Sequence, residues 1–179
     1  MLIPIARACL RALAINNFSS LTMLRKALNA LVSALPATVV EAHCDGPCGV
    51  YDPASARVAA EAVLSMTKKL KAMEAPAAGD AAALAAYNNT FGRYVAIKEE
   101  EAQKTKKELL ILWTDYFKPD HLATFPDLHD TFWKAAKLCS ACKVNIDQAK
   151  AEELMAAVEK IHGMFWQSKG RSDAWVTAS

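Results

Sequence analysis

The chain has 179 residues, of which 53% are hydrophobic and 22% charged, and 21 basic against 19 acidic residues give it a net charge of +2. This composition fits a globular protein and excludes both a disordered chain and the strongly basic surface of a nucleic-acid-binding protein. No apolar run reaches the roughly 18 residues that a membrane span needs. Five cysteines are too few, and odd in number, for a secreted disulfide framework. We therefore expect cysteines that serve in metal binding or redox chemistry.

The first 42 residues differ from the remainder in charge. Residues 1–40 contain no Asp or Glu, and four basic residues against Glu41 give residues 1–42 a charge of +3, whereas the rest carries −1. An apolar segment with scattered Arg and Ser is typical of a targeting or pro-segment. Small residues flank a plausible cleavage point just before His43. We predict that residues 1–42 are removed on maturation and that residues 43–179 form the functional domain.

Two alternatives concern the same segment. Translation could start at Met23, which would make residues 1–22 an annotation artefact, or residues 1–22 could be a genuine organellar address. The segment could also be an N-terminal helix that docks on the domain. A start at Met1, with residues 1–22 as a genuine transit segment, favours an organellar location.

The segment HCDGPCGVYDP at residues 43–53 carries the strongest chemical signal. One imidazole (His43) and two thiols (Cys44, Cys48) lie within six residues, and the Gly and Pro residues around them favour a turn over a helix. Such a turn can bring both thiols to one ion, and these ligands suit late transition metals. The spacing alone leaves zinc, copper, nickel or a redox thiol pair open.

The remainder predicts four amphipathic helices. The first starts at Asp52-Pro53, and the second starts at Asp80 and runs to about Phe117, where Pro119 stops it. The third starts near Pro126, and the fourth covers about Ile146 to Lys169. The apolar residues of the first helix recur at helical spacing: Val58, Ala62, Met66, Leu70 and Met73. Short connections predict an all-α four-helix bundle with an N-terminal metal-binding hook, followed by a loose polar tail.

The third predicted helix carries a Cys-x-x-Cys pair, Cys139 and Cys142. The two thiols could form a redox pair or join Cys44 and Cys48 in a four-thiolate zinc site. Their position on the apolar stripe of the helix favours buried, inert thiols. The alternative to a redox metal enzyme is therefore a helical bundle with a structural zinc site or a thiol redox pair.

The segment HCDGPCGVY resembles the amino-terminal nickel hook of the nickel superoxide dismutases, and LWTDYFKP at residues 112–119 matches the same family. The resemblance covers residues 43 to about 170. It implies that proteolysis frees the amine of His43. This amine, the amide nitrogen of Cys44 and the thiolates of Cys44 and Cys48 would then bind nickel in a square plane, with the His43 imidazole as axial ligand in the oxidised state. Square-planar geometry is typical of divalent nickel.

The resemblance also implies the activity and the assembly. One nickel ion per subunit, alternating between Ni²⁺ and Ni³⁺, would disproportionate superoxide to oxygen and hydrogen peroxide. His43, Cys44, Cys48 and Tyr51 would be the catalytic residues. The family points to a homohexamer of four-helix subunits, a cytoplasmic location and a processing protease as partner.

Further residues match the family around the hook. Tyr51 and Tyr116 align with tyrosines that line the access pocket, and Lys118 aligns with a nearby lysine that can attract an anion. Asp45 matches an acid that orders the hook, and Pro47 matches a proline that is cis in the family.

The chain departs from the family at two positions. Ala59 stands where well-known members have Glu, and Glu101 stands where they have Arg; that pair steadies the His imidazole. We hypothesise that Glu101 itself accepts the hydrogen bond of the His43 imidazole. The alternative places Glu101 in a solvated run of charges.

Overall fold

A computed structural model describes residues 49–178, and the predicted pro-segment and the hook residues 43–48 lie outside this range. Within it the chain forms four α-helices and no strand: α1 (Ala54–Lys71), α2 (Ala81–Ile111), α3 (Leu128–Val144) and α4 (Gln148–Ser168). Each helix packs on two others, in the cyclic order α1, α2, α3, α4. The prediction of an all-α four-helix bundle is confirmed. None of these helices is long and apolar enough to cross a bilayer.

Short-range capping sets the starts of the helices. Asp52 Oδ1 accepts a hydrogen bond from the Ala54 amide at 2.7 Å, and Asp80 Oδ1 accepts one from the Ala83 amide at 2.9 Å. Both starts agree with the sequence, because a carboxylate satisfies amides that have no helical partner. The connection between α3 and α4 spans residues 145–147, since α3 continues through Val144 and Asp147 caps α4, so α4 begins two residues later than predicted.

The end of α2 is irregular. Its last turn widens into a π-helix over Leu112–Tyr116, closed by a 3.0 Å bond from the Phe117 amide to the Leu112 carbonyl. A short 3₁₀-helix follows over Pro119–Ala123. The long helix therefore ends just before Pro119, as the sequence predicts. Such π-turns occur often at functional sites, and this one carries Tyr116.

The buried face of α1 differs from the predicted one. Val58 is 51% exposed, whereas Ala59 and Ala60 are fully buried. The face that packs into the bundle consists mainly of small residues, namely Ala56, Ala59, Ala60, Glu61, Val63, Thr67 and Leu70. The small alanine side chains allow α1 to pack closely against its neighbours. The helix therefore turns this face toward the bundle, and not the predicted face that contains Val58.

The C-terminal tail is packed rather than loose, which corrects the prediction for this segment. Trp175 packs against the core, and the Asp173 carbonyl lies 3.1 Å from Nε2 of His162 in α4. The Ala178 amide donates to Glu61 in α1 at 2.7 Å. The tail therefore connects α4 with α1.

Candidate metal centre

The described chain begins directly after the hook. Gly49, which follows Cys48 in the sequence, has a φ of +65°, a left-handed conformation that glycine adopts without the penalty of a Cβ atom. His43, Cys44, Asp45, Pro47 and Cys48 lie outside the described residues. Their assignment as ligands and supporting residues therefore stays a prediction, and the structure informs on what surrounds the exit of the hook.

The two tyrosines predicted to line the access route lie in contact. The ring centroids of Tyr51 and Tyr116 are 5.2 Å apart with the rings tilted by 55°. The Tyr51 hydroxyl donates to the carbonyl oxygen of Asp115 at 3.3 Å, which connects the segment just before α1 to the π-turn of α2. Residues 65 positions apart in sequence are thus brought together at one end of the bundle, and their functional role stays a prediction.

Tyr116 has neighbours that the sequence analysis missed. Its hydroxyl lies 2.6 Å from Ser168 Oγ, and the ammonium nitrogen of Lys169 lies 5.1 Å from its ring centroid. His121 stacks on the same ring with a centroid distance of 5.8 Å. Ser168 and Lys169 continue the α4 stripe by three and four residues from Phe165, a spacing that could have indicated them. We call Tyr51, Tyr116, Ser168 and Lys169 the tyrosine end.

Lys118 lies beside this group in an exposed position. Its backbone amide donates to His121 Nδ1 at 2.9 Å, which holds the chain in an extended conformation just before Pro119. The Lys169 ammonium lies over the Tyr116 ring, and Lys118 follows Tyr116 by two residues in the chain. Exposed cations of this kind attract small anions through the surrounding field.

Glu101 is not beside the tyrosines. It lies fifteen residues before Tyr116, about 22 Å along the helix axis at 1.5 Å per residue. Its half-buried side chain pairs with Lys104 at 4.0 Å. Ala59, at the other departure from the family, is fully buried in α1. The proposed hydrogen bond from the His43 imidazole to Glu101 stays a prediction.

The late cysteines lie far from the tyrosine end. Cys142 lies ten residues beyond Phe132 in α3, about 15 Å along the helix, and Phe132 contacts Phe117 next to Tyr116. Cys139 and Cys142 are buried, free thiols. Burial raises the pKa of Cys139 to about 12 and that of Cys142 to about 11. Both thiols therefore remain protonated at neutral pH, which makes them poor nucleophiles.

A buried lysine completes this region. Lys98 is 1% exposed, and its ammonium donates to the carbonyl oxygens of Cys142, Lys143 and Asn145 at the C-terminus of α3. Burial lowers the pKa of Lys98, while the Glu99 carboxylate acts in the opposite direction. We call Lys98, Cys139 and Cys142 the thiol end. Between residues 49 and 178 no three His, Cys, Asp or Glu side chains are placed to share a metal ion.

Comparison with known proteins identifies the family. The family model for nickel-containing superoxide dismutase matches residues 38–169. The chain is 39% identical to a superoxide dismutase [Ni] of Streptomyces seoulensis, over 75% of this chain and 93% of that protein. It is 36% identical to one of Streptomyces coelicolor, over the same shares of both chains. The chain belongs to the nickel-containing superoxide dismutase family.

Solved structures give the same result. The native nickel superoxide dismutase structure aligns with a TM-score of 0.62 and 35% identity, covering 72% of this chain and 99% of that one. A structure with nickel ligation corresponding to the oxidised state aligns with a TM-score of 0.60 and 38% identity, with the same coverage. The helical bundle described above is therefore the fold of this family.

Proposed function

We infer that this chain is an oxidoreductase that uses nickel to convert two superoxide anions and two protons into oxygen and hydrogen peroxide. Family membership over residues 38–169 is the observation that carries this conclusion. We propose that His43, Cys44 and Cys48 hold the metal once the chain has been cleaved before His43. A structural zinc site is not favoured, because the family match points to nickel and the buried thiols of the thiol end are distant from the tyrosine end.

The donor set fits nickel. Thiolate and nitrogen ligands suit late transition metals, and a planar set of four donors suits divalent nickel. Cleavage turns the nitrogen of His43 from an amide into an amine, which has a lone pair for the metal. When bound, nickel supplies a one-electron couple between its divalent and trivalent states. Residues 1–42 would accordingly keep the chain inactive until a protease removes them.

The described residues supply the surroundings of the metal. Tyr51 follows Cys48 by three positions, so their Cα atoms lie at most about 11 Å apart. The contact between Tyr51 and Tyr116 therefore lies within reach of the hook. The two phenols hold water or peroxide by hydrogen bonds, and Lys118 raises the local concentration of the anionic substrate. Asp45 and Pro47 shape the hook itself.

Assembly and processing complete the proposal. The match to the family begins five residues before His43, which supports a domain boundary at residue 43. Exposed apolar side chains such as Trp133 (53%) and Leu84 (49%) supply surface for subunit contacts, in keeping with a homohexamer. We place the mature enzyme in the cytoplasm, with one nickel ion per subunit. Light scattering that gives the mass of a single subunit would contradict the hexamer.

Cysteine variants test the ligand assignment. In protein that begins at His43, Cys44→Ser and Cys48→Ser should each abolish dismutation and reduce bound nickel from one ion per subunit to near zero. The matched double variant Cys139→Ala/Cys142→Ala should keep nickel and activity, because those thiols are buried far from the tyrosine end. Mass-spectrometric metal analysis and stopped-flow superoxide decay measure both quantities. Loss of metal from the Cys139/Cys142 double variant, as well as from the Cys44 and Cys48 variants, would support the zinc-site alternative.

A further inference from the structure

The hydroxyl of Tyr116 has a defined donor direction. Ser168 Oγ lies 2.6 Å from the Tyr116 oxygen and 2.7 Å from the carbonyl oxygen of Phe165 in the preceding turn of α4. A hydroxyl has one proton, and a carbonyl oxygen can only accept a hydrogen bond. The Ser168 proton therefore goes to Phe165. It follows that Tyr116 donates its own proton to Ser168.

The Tyr116 ring is held by packing on several sides. Phe165 lies 4.6 Å from it and Tyr51 5.2 Å, measured between centroids, and the Lys169 ammonium lies 5.1 Å from its centroid. With the ring held and its proton directed to Ser168, the phenolic oxygen offers only lone pairs to an incoming molecule. It can accept a hydrogen bond from water or hydrogen peroxide. It has no proton to donate to superoxide, which itself can only accept.

We propose that Ser168 is a positioning residue of the dismutation reaction. By accepting the Tyr116 proton, it makes Tyr116 a hydrogen-bond acceptor that binds water or hydrogen peroxide and does not bind the anionic substrate. Tyr51 also directs its hydroxyl to a protein carbonyl, that of Asp115. Recognition of the anion is then left to the ammonium groups of Lys118 and Lys169. This inference rests on the proposed function, since it assigns a role in the same reaction.

Azide tests the proposal because it is a small anion that accepts hydrogen bonds and donates none. The protein is the nickel-loaded chain that begins at His43, and isothermal titration calorimetry gives the dissociation constant of azide. Ser168→Ala frees the Tyr116 proton for donation to the anion, so azide should bind about ten-fold more tightly, as expected for one added hydrogen bond to a charge. Ser168→Thr keeps a hydroxyl and should retain the wild-type affinity.

A second variant keeps the result specific to Tyr116. In the double variant Tyr116→Phe/Ser168→Ala the gain should vanish, because the phenolic proton is absent. Unchanged azide affinity in Ser168→Ala, or a gain that persists in the double variant, would overturn the role of Ser168. Nickel content and dismutation by the wild-type sample are measured alongside. A nickel-loaded wild type without dismutation would instead contradict the proposed function.

Discussion

Two regions of the chain carry a pair of cysteines: the hook sequence just before the tyrosine end, and the thiol end of the bundle. At the tyrosine end, Tyr51 and Tyr116 meet where the chain leaves a hook rich in Gly, Pro and Cys. At the thiol end, Cys139 and Cys142 lie on the inner stripe of α3, both less than 2% exposed. The Gly and Pro residues around Cys44 and Cys48 predict a turn, whereas Cys139 and Cys142 lie within a helix core. The contrast teaches that the segment around a cysteine carries more information for predicting its environment than the Cys-x-x-Cys spacing does.

Lys98→Met should have the largest effect on the thiol end. The substitution keeps the length of the side chain but removes the donor to the carbonyl oxygens of Lys143 and Asn145, which lie 2.9 and 3.1 Å away. Buried acceptors that lose their partner reduce the free energy of unfolding by roughly 1–3 kcal/mol. Urea denaturation measures the loss.

Lys107→Met on the exposed face of α2 is the matched control, and its effect should stay within about 0.5 kcal/mol. Nickel content of the chain that begins at His43 should be unchanged in both variants. Loss of nickel from folded Lys98→Met protein would show that the two ends are coupled. This result would contradict the view that they are independent regions of the bundle.

A rise to alkaline pH should have the second-largest effect, which is a loss of stability caused by the thiol end. Burial raises the pKa values of Cys139 and Cys142 to about 12 and 11, above the ordinary value near 9. Below pH 9 both thiols are protonated in the folded and unfolded chains, so their contribution to stability is constant. Between pH 9 and 11 the unfolded chain loses these protons and the folded chain keeps them, which lowers the free energy of unfolding by more than about 1 kcal/mol. Urea titrations across this range measure the slope.

The double variant Cys139→Ala/Cys142→Ala sharpens this prediction. It should be less dependent on pH between 9 and 11 than the wild type, because the groups that titrate differently are gone. An identical slope in both proteins would mean that the two thiols are more accessible than their burial indicates.

Glu101→Gln should have the smallest effect, and it tests the proposed hydrogen bond between the His43 imidazole and Glu101. If Glu101 accepts the hydrogen bond of the His43 imidazole, the variant should shift the redox midpoint of bound nickel and lower turnover up to about ten-fold, as for other residues that orient metal ligands. Glu100→Gln, exposed on the same helix, is the control and should change neither. An unchanged midpoint and turnover in Glu101→Gln would leave Glu101 in the solvated charge run.

Local signals made much of the fold predictable. Asp52 and Asp80 were predicted to start helices, because capping involves only residues two or three positions apart. The burial of Cys139 and Cys142 followed from helical spacing alone. The rotation of α1, seen in the exposure of Val58, was not predictable, because it depends on how closely buried alanines let neighbouring helices approach.

The candidate site, like the fold, could be predicted only in part from the sequence. Tyr51 and Tyr116 were indicated by family motifs, and the structure brings their rings together. Ser168 was missed because its partner Tyr116 lies 52 positions away, and helical spacing from Phe165 indicates only the face of α4 on which Ser168 lies, not the residue that it contacts. The packed tail was missed for the same reason, since Ala178 meets Glu61 across 117 positions.

The most direct test of the central claim compares two forms of the chain. Superoxide decay is followed by stopped flow with nickel-treated protein that begins at His43 and with the 1–179 chain treated identically. The account predicts fast catalytic decay only in the form that begins at His43, because only its amine can bind the metal. Equal inactivity of both forms, with nickel confirmed bound to the trimmed one, would contradict the assignment of the hook as the catalytic centre.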